Sequence, residues 1–418
     1  MLEDVVIVTD TLNVDGGTAK VSLGSALALA ESGLRVTVFA ASGEASPQLA
    51  ACENVRIVCT NQGDVLASRN PIAGALRGIW NRRAYAAMRD LLATLDRDRT
   101  VVHVHCWTKS LSSSVIASIV RARFPVVLTL HEYFSACPTG CLYLHRDRKI
   151  CTLTPMSAAC IRTDCDSRSY AFKLYRVVRQ VVQRTLGRMP QGIADFITVS
   201  EFSRRVLEPR LPAVRRMYAV DNPVDAVRGP RVAAERNQTF AFVGRLSPEK
   251  GGVLLAEAAR IAGVRVVFIG DGPDRAEIER VNPDAVVTGW LDRAGVRAQL
   301  CEARVAVVPS LWYETLGLVV LEAAALGVPA IVSDGTAPRD LITHGETGLG
   351  FERGNAPALA TRLRACVDDG LVERMSIAAY DGYWRSPPTM GRHVQRLLAT
   401  YGEVLARLGS GTPQVRSA

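Results

Sequence analysis

Short runs rich in β-branched residues alternate with helical patterns along the whole of this 418-residue chain. That alternation leaves few folds open, because parallel strands need a helical crossover between them and are buried on both faces. In the first half the runs are Val5–Thr9, Arg35–Phe39, Val101–Val104, Val126–Leu130 and Phe196–Val199. In the second they are Phe240–Val243, Val266–Ile269, Ala285–Val287, Val305–Val308 and Ala330–Val332. A single core stops growing at roughly 250–300 residues, so two α/β domains are expected. The weakest patterning, from Val224 to Gln238 with Gly229 and Pro230 inside it, reads as the linker. The expected division is a Rossmann-like, doubly wound domain over 1–223 and a second over 224–385, facing each other across a cleft. After the break at Pro387-Pro388 an amphipathic helix is expected from about Thr389 to Ala406. The segment 386–418 is therefore free to return to the N-terminal domain before a frayed tail.

Apolar residues make up 48% and charged residues 22%, as in an ordinary globular enzyme. No run approaches the ~18 apolar residues of a membrane span. The chain starts directly on a strand, so a cytoplasmic protein is expected, free or peripheral at the inner face of the cell membrane. Fifty Lys and Arg against 41 Asp and Glu leave +9, which favours anionic partners. No nucleic-acid partner is expected, since aromatic content is 6% and no nucleic-acid motif occurs. An NAD-dependent oxidoreductase would also use Rossmann domains. Its best fingerprint, Gly270-x-Gly272, fails at Arg275, where a third small residue is needed.

The chemistry concentrates in Ser310 to Ala323, where Glu314 and Glu322 bracket a glycine-started apolar run that follows the strand Val305–Val308. This order reads as strand, loop and helix start. A helix start offers unpaired N–H groups and a positive dipole end to a phosphate. The two carboxylates would accept hydroxyl hydrogen bonds on either side of it. Arg245 and Lys250 lie in another strand-to-helix turn, at the sheet edge where doubly wound folds bind ligands. Gly16 and Gly17 follow the first strand, and His131 ends the strand Val126–Leu130. Each feature alone is as well explained by an ordinary turn, a solvated charge or a structural histidine. Their shared placement at sheet edges is what gives them weight.

The sequence resembles the retaining glycosyltransferases of the two-Rossmann (GT-B) type in family 4, those of polysaccharide biosynthesis. Gly244-Arg245-Leu246, Lys250-Gly251, Ile269 to Pro273, Gly289, Glu314 through Glu322, Ala325 to Pro329 and Gly345 to Gly348 carry the likeness, with Gly16-Gly17 and His131 in the first half. The resemblance implies transfer of a sugar from a UDP-, GDP- or ADP-sugar to a glycan or lipid-linked saccharide, in exopolysaccharide or cell-envelope glycan synthesis. It implies that Arg245 and Lys250 hold the diphosphate, and that Glu314 meets the transferred sugar. Glu322 would hold the ribose, and the N–H groups of Leu316, Gly317 and Leu318 would cap oxygens. Gly16 and Gly17 would contact the phosphate or acceptor, and His131 would position the sugar. It further implies same-face attack with retention and no divalent metal in catalysis. Leu316 stands where the family usually has an aromatic residue. Thr336 and Asp340 replace a usual glycine and glutamate. A catalytically silent scaffold protein is the competing reading.

Two segments stand apart. The insertion 134–167 carries Cys137, Cys141, Cys151, Cys160 and Cys165. Some polysaccharide-pathway members of the family look similar here, with Cys137, Cys151, Cys160 and Cys165 matching. A structural zinc site built by those four, plain buried cysteines and a redox switch all fit. Beyond it, Leu174, Val177, Val178, Val181 and Val182 share one helical face, and Lys173, Arg176, Arg179 and Arg184 occupy the rest. Packing on the N-terminal sheet is one expectation. A basic surface for an anionic membrane is the other.

Overall fold

The computed structural model describes residues 1–14, 16–213 and 215–409. The expected frayed tail beyond residue 409 lies outside them. Two compact units form. One comprises Met1–Cys141, Leu153–Pro223 and the segment from Pro388; the other comprises Leu142–Thr152 and Val224–Pro387.

The first unit is built on strands β1 (Asp4–Thr11), β2 (Arg35–Ser42), β3 (Val55–Cys59), β4 (Thr100–Val104) and β5 (Val126–Leu130). A short antiparallel hairpin follows, β6 (Tyr143–Leu144) with β7 (Lys149–Ile150), which belongs to the second unit. Strands β8 (Asp195–Thr198) and β9 (Arg216–Ala219) then complete the first sheet. Its order is β3-β2-β1-β4-β5-β8-β9, and every pairing is parallel. Val5 pairs with Val36 on one side and Val101 on the other, which is why β1 is apolar on both faces. The helix Gly17–Glu31 lays Leu23, Ala26, Leu29 and Ala30 over Val5, Ile7, Val36 and Val38.

The C-terminal helix, Met390–Gly409, adds Val394, Leu397, Tyr401 and Val404 to that same core. It is also pinned by polar contacts. The Tyr401 hydroxyl and His103 Nδ1 are 2.6 Å apart, Ser25 Oγ and His393 Nε2 2.8 Å, and Arg396 donates to Asp221 at 2.8 Å. Burial holds His103 neutral, well below the usual histidine range.

The second unit carries β10 (Thr239–Val243), β11 (Arg265–Ile269), β12 (Val286–Gly289), β13 (Ala303–Val308), β14 (Ala330–Ser333) and β15 (Gly348–Phe351). Their order is β12-β11-β10-β13-β14-β15, again all parallel. Phe240, Phe242, Phe268 and Val305 fill one side of the sheet with Leu255 and Leu359 from its helices. The expected α/β class of two doubly wound parallel sheets is therefore what the chain forms.

The helix Tyr170–Thr185 corrects one expectation. Its inward residues are Lys173, Val177, Gln180 and Gln183. Leu174, Val178 and Val181 are 40%, 50% and 46% exposed. The arginines expected at the surface turn inward instead: Arg176 donates to Thr139 O and Arg179 to Thr108 O, both at 3.0 Å. Fixing those loop carbonyls, rather than burying the valines, decides which side faces the domain.

Tyr401→Phe removes the hydroxyl that pairs with buried His103 while keeping the ring. A loss of about 1–2 kcal/mol in urea unfolding is expected. An unchanged midpoint would mean that the pair does not hold the terminal helix.

Candidate functional site

In the C-terminal domain, three strand-to-helix loops meet at one edge of the sheet. Gly244-Arg245-Leu246 leaves β10, and Gly270-Asp271-Gly272 leaves β11 beside it. A Cβ on Gly270 would stand 2.0 Å from Gly244 O, and one on Gly272 2.3 Å from Leu246 O. The loops approach backbone to backbone, joined by Gly244 N→Ile269 O and Leu246 N→Asp271 O, both 3.0 Å. Side chains at those two glycines would force them apart.

The third loop leaves β13 and runs into the helix Leu318–Leu326. Leu311 N donates to Glu249 O at 2.8 Å, tying this loop to the turn that carries Lys250. Lys250 Nζ then donates to Glu314 Oε2 at 2.7 Å. The same oxygen accepts from Ser310 Oγ and from Trp312 Nε1, each at 3.1 Å. Lys250 Nζ also sits 5.0 Å from the centre of the Trp312 ring. Burial would push the Glu314 carboxyl up, but Lys250, Trp312 and Ser310 outweigh it and hold the group below its usual value.

Ligand-binding capacity remains around this pair. Gly317, at φ +81° in the left-handed region, caps the helix start. Among the described residues the N–H groups of Leu316, Gly317 and Leu318 find no backbone acceptor. Among the described residues exposed Arg245 has no ion pair, and half-buried Glu322 has no hydrogen-bond partner, though it acts on the charge of Arg293. The edge thus presents two cations, three amide donors and a free carboxylate, a set suited to a diphosphate flanked by hydroxyls.

In the N-terminal domain, Gly16, Gly17 and His131 line a cavity of about 210 Å³ together with Asp10, His105 and Lys109. Asp10 is buried at the end of β1, where its carboxylate accepts from the N–H groups of Lys109, Ser110 and Leu111 at 2.8–3.0 Å. Those bonds shape the loop after β4. His131 Nε2 lies 3.0 Å from His105 Nδ1, and the two rings stack with centres 5.3 Å apart. Burial lowers the His131 pKa to about 3, so it is neutral at neutral pH. It can orient a hydroxyl but brings no charge.

Gly16, Gly17 and His131 thus belong to one domain, and Arg245, Lys250, Glu314, Leu316, Gly317, Leu318 and Glu322 to the other. Sequence reasoning missed Asp10, His105, Ser310 and Trp312. The alternation in His103-Val104-His105 was the available signal for His105, since it carries a second histidine to the strand's end.

Of the four expected zinc ligands, Cys160 and Cys165 converge on Lys173, whose Nζ donates to them at 3.6 and 3.3 Å. Cys137 and Cys141 each lie 3.3 Å from Thr139 Oγ1. Cys151 lies on the loop assigned to the second unit. Among the described residues no group of three or more His, Cys, Asp or Glu is placed to hold a metal ion. A buried ammonium donating to two of the sulfurs does not fit a zinc cage.

Lys250→Met leaves the Glu314 carboxylate without its cation. The Glu314 pKa is held below the usual glutamate value, so the pair's stabilisation is present above that usual value and lost as pH falls through the folded pKa. The variant's deficit in melting temperature should be largest near neutral pH and shrink on acidification. A deficit independent of pH would remove the pair as its cause.

Two family models match the chain. One described as "Glycosyl transferase 4-like domain" covers residues 16–222, and one described as "Glycosyl transferases group 1" covers 237–369. A GDP-mannose-dependent alpha-mannosyltransferase of Mycolicibacterium smegmatis is 43% identical over 129 residues, 30% of this chain and 34% of that protein. Its namesake in Corynebacterium glutamicum is 32% identical over 240 residues, 55% of each chain. The match thus spans from about a third to just over half the length of these relatives. Among solved structures, sucrose-phosphate synthase of Thermosynechococcus elongatus aligns with TM-score 0.68 and 17% identity, covering 97% of this chain and 100% of that one. Anabaena Alr3699/HepE in complex with UDP aligns with TM-score 0.64 and 15% identity, covering 96% and 100%.

Proposed function

This chain belongs to the group 1 glycosyltransferases, family 4 and GT-B in type, and on that footing we propose that it transfers a sugar from a nucleoside diphosphate sugar to a saccharide acceptor with retention of configuration. The observation that carries this reading is the sheet edge that holds paired Lys250 and Glu314 together with Arg245, Glu322 and three amides, none of which has a hydrogen-bond partner among the described residues through its side chain or N–H respectively. An ammonium has three protons, so Lys250 can keep Glu314 and still meet a phosphate oxygen. Glu314 then acts as the brace that aims it. In the transition state, negative charge gathers on the departing diphosphate. Arg245, Lys250 and the helix start would meet that charge without reorganising. Glu322 would accept from the ribose diol. The remaining oxygen of Glu314 is offered to the sugar. Same-face attack, with the leaving phosphate taking the acceptor's proton, needs no carboxylate base.

A thermal-shift panel of GDP, UDP and ADP, followed by transfer assays with the matching sugars, tests the donor. GDP-mannose is the first to try, given the names of the relatives above. Glu322→Ala should weaken donor binding about tenfold or more. Lys250→Ala should mainly lower turnover, by about a hundredfold. Undiminished transfer in the Lys250 variant would contradict its role, and an inverted product by NMR would contradict retention.

We further propose that the acceptor is lipid-linked, in exopolysaccharide or cell-envelope glycan synthesis, and that the N-terminal domain works on an anionic bilayer. No helix among the described residues is long and apolar enough to cross a membrane. Support comes from the outward Leu174, Val178 and Val181, next to exposed Ile72 and Leu76 on the helix Pro71–Ile79. The two helices touch where Tyr175 Oη donates to Ala75 O at 3.2 Å. No Asp or Glu occurs between Asp64 and Asp90 or between Asp166 and Asp195, while Arg69, Arg82, Arg83, Arg168 and Arg188 are exposed. Outward apolar residues in stretches of chain that carry cations and no acids suit anionic headgroups over acyl chains. Vesicle flotation should recover the protein with phosphatidylglycerol-containing bilayers and lose it in Leu174→Asp/Val178→Asp. Equal recovery with purely neutral lipid would refute the proposal.

A further inference from the structure

His105 immediately follows β4, where its N–H donates to Val8 O at 2.9 Å and its side chain is closed off from solvent. Its ring stands between those of His103 and His131, with centres 4.0 and 5.3 Å away. Burial keeps His105 and His131 neutral, so each ring carries one proton and one bare nitrogen. The 3.0 Å contact between His105 Nδ1 and His131 Nε2 holds one proton, which leaves two arrangements. In the first, His105 donates from Nδ1, its Nε2 is bare, and His131 carries its proton on Nδ1. In the second, His131 donates from Nε2, its Nδ1 is bare, and His105 keeps its proton on Nε2.

His105 Nε2 decides between them. It is buried and has no hydrogen-bond partner among the described residues. Buried N–H groups without an acceptor are rare in folded proteins, rarer than acceptors with a lone pair to spare. The bare nitrogen therefore belongs at His105 Nε2. His103 has no such preference, because the hydroxyls of Tyr401 and Thr129 on either side of it can each donate or accept. His131 Nδ1 is not enclosed as His105 Nε2 is, and His131 lines the N-terminal cavity.

We propose that His105 is a positioning residue: it donates to His131 Nε2 and so fixes His131 in the tautomer that presents an Nδ1–H donor to the cavity. The proposal rests on the reading that this cavity receives a saccharide. A neutral N–H of this kind orients a sugar oxygen without attracting anions. It also bars His131 from taking a proton, because its one lone pair is spent on His105. The pair of rings thus makes His131 a donor and keeps it from serving as a base.

The test begins on the full chain without substrate. Long-range nitrogen–proton NMR of the imidazoles reads which nitrogen of each of the six histidines is protonated, with His131→Gln identifying the His131 signals. His131 should appear as the Nδ1–H tautomer. In His105→Leu that single tautomer should give way to a mixture, and turnover in the transfer assay should fall about tenfold with the donor KM unchanged. His105→Asn, whose amide nitrogen can stand where Nδ1 does, should restore both. An Nε2–H His131 in the parent chain would overturn the proposal. So would an unchanged tautomer in His105→Leu, or a folded His105→Asn that transfers as poorly as the leucine variant. The tautomer is read without substrate, so a chain that transfers no sugar would sink the proposed function while this assignment stands or falls on its own spectrum.

Discussion

Lys250 and Glu314 sit on loops that follow different strands of the same sheet, and the 2.7 Å bond between them brings those loops into register. A carboxylate this enclosed needs three donors to remain charged, and Ser310 and Trp312 complete the set. The rest of the edge is arranged around that requirement. Leu311 is drawn to Glu249, Trp312 is held under the ammonium, and Gly317 is left to reverse the chain into its helix. A Cβ on Gly251 would lie 2.1 Å from Pro309 O, so the two loops also meet where no side chain fits. Ion pair and backbone approach reinforce each other, and the unsatisfied amides are a by-product of that geometry.

The first domain solves a different problem with neutral groups. His103, His105 and His131 lie close together, with ring centres 4.0 Å apart for the first two and 5.3 Å for the last two. Burial keeps all three uncharged, so adjacent imidazoles do not repel. His103 is satisfied by Thr129 and Tyr401, both at 2.6 Å, whereas His105 meets His131 through Nδ1 and keeps a buried Nε2 with no hydrogen-bond partner among the described residues. The histidine part of the cavity wall is therefore polar without being ionic, beside Asp10, Lys109 and Glu132.

Much of this was legible in the chain. Strands such as β1, β5 and β10 announce themselves because central parallel strands are apolar on both faces. The edge strands β9, Arg-Met-Tyr-Ala, and β15, Gly-Leu-Gly-Phe, carry no such signature and escaped notice. Glu314, Lys250 and Arg245 were found by their placement after strands, but not the bond between the first two, which depends on a side-chain rotamer no spacing encodes. The helix Tyr170–Thr185 is the most instructive miss. Periodicity says which residues share a face, and it cannot say which face turns inward. There the domain's open carbonyls at Thr108 and Thr139 chose the arginines. Lys173 went unread for the same reason, because a lysine in a basic helix looks solvated until its partners are seen.

The terminal helix has a consequence for how this protein comes into being. Its Tyr401 and Leu397 belong to the hydrophobic centre that β1 begins, so the first domain is written in pieces with another domain spelled out between them. During synthesis the early sheet must wait, incomplete along one flank, until the second domain has also been read. The keystone of the first domain is made only after the whole of the second. A truncated message would yield a half-roofed N-terminal domain rather than a finished one, and quality control would meet it with apolar surface still showing.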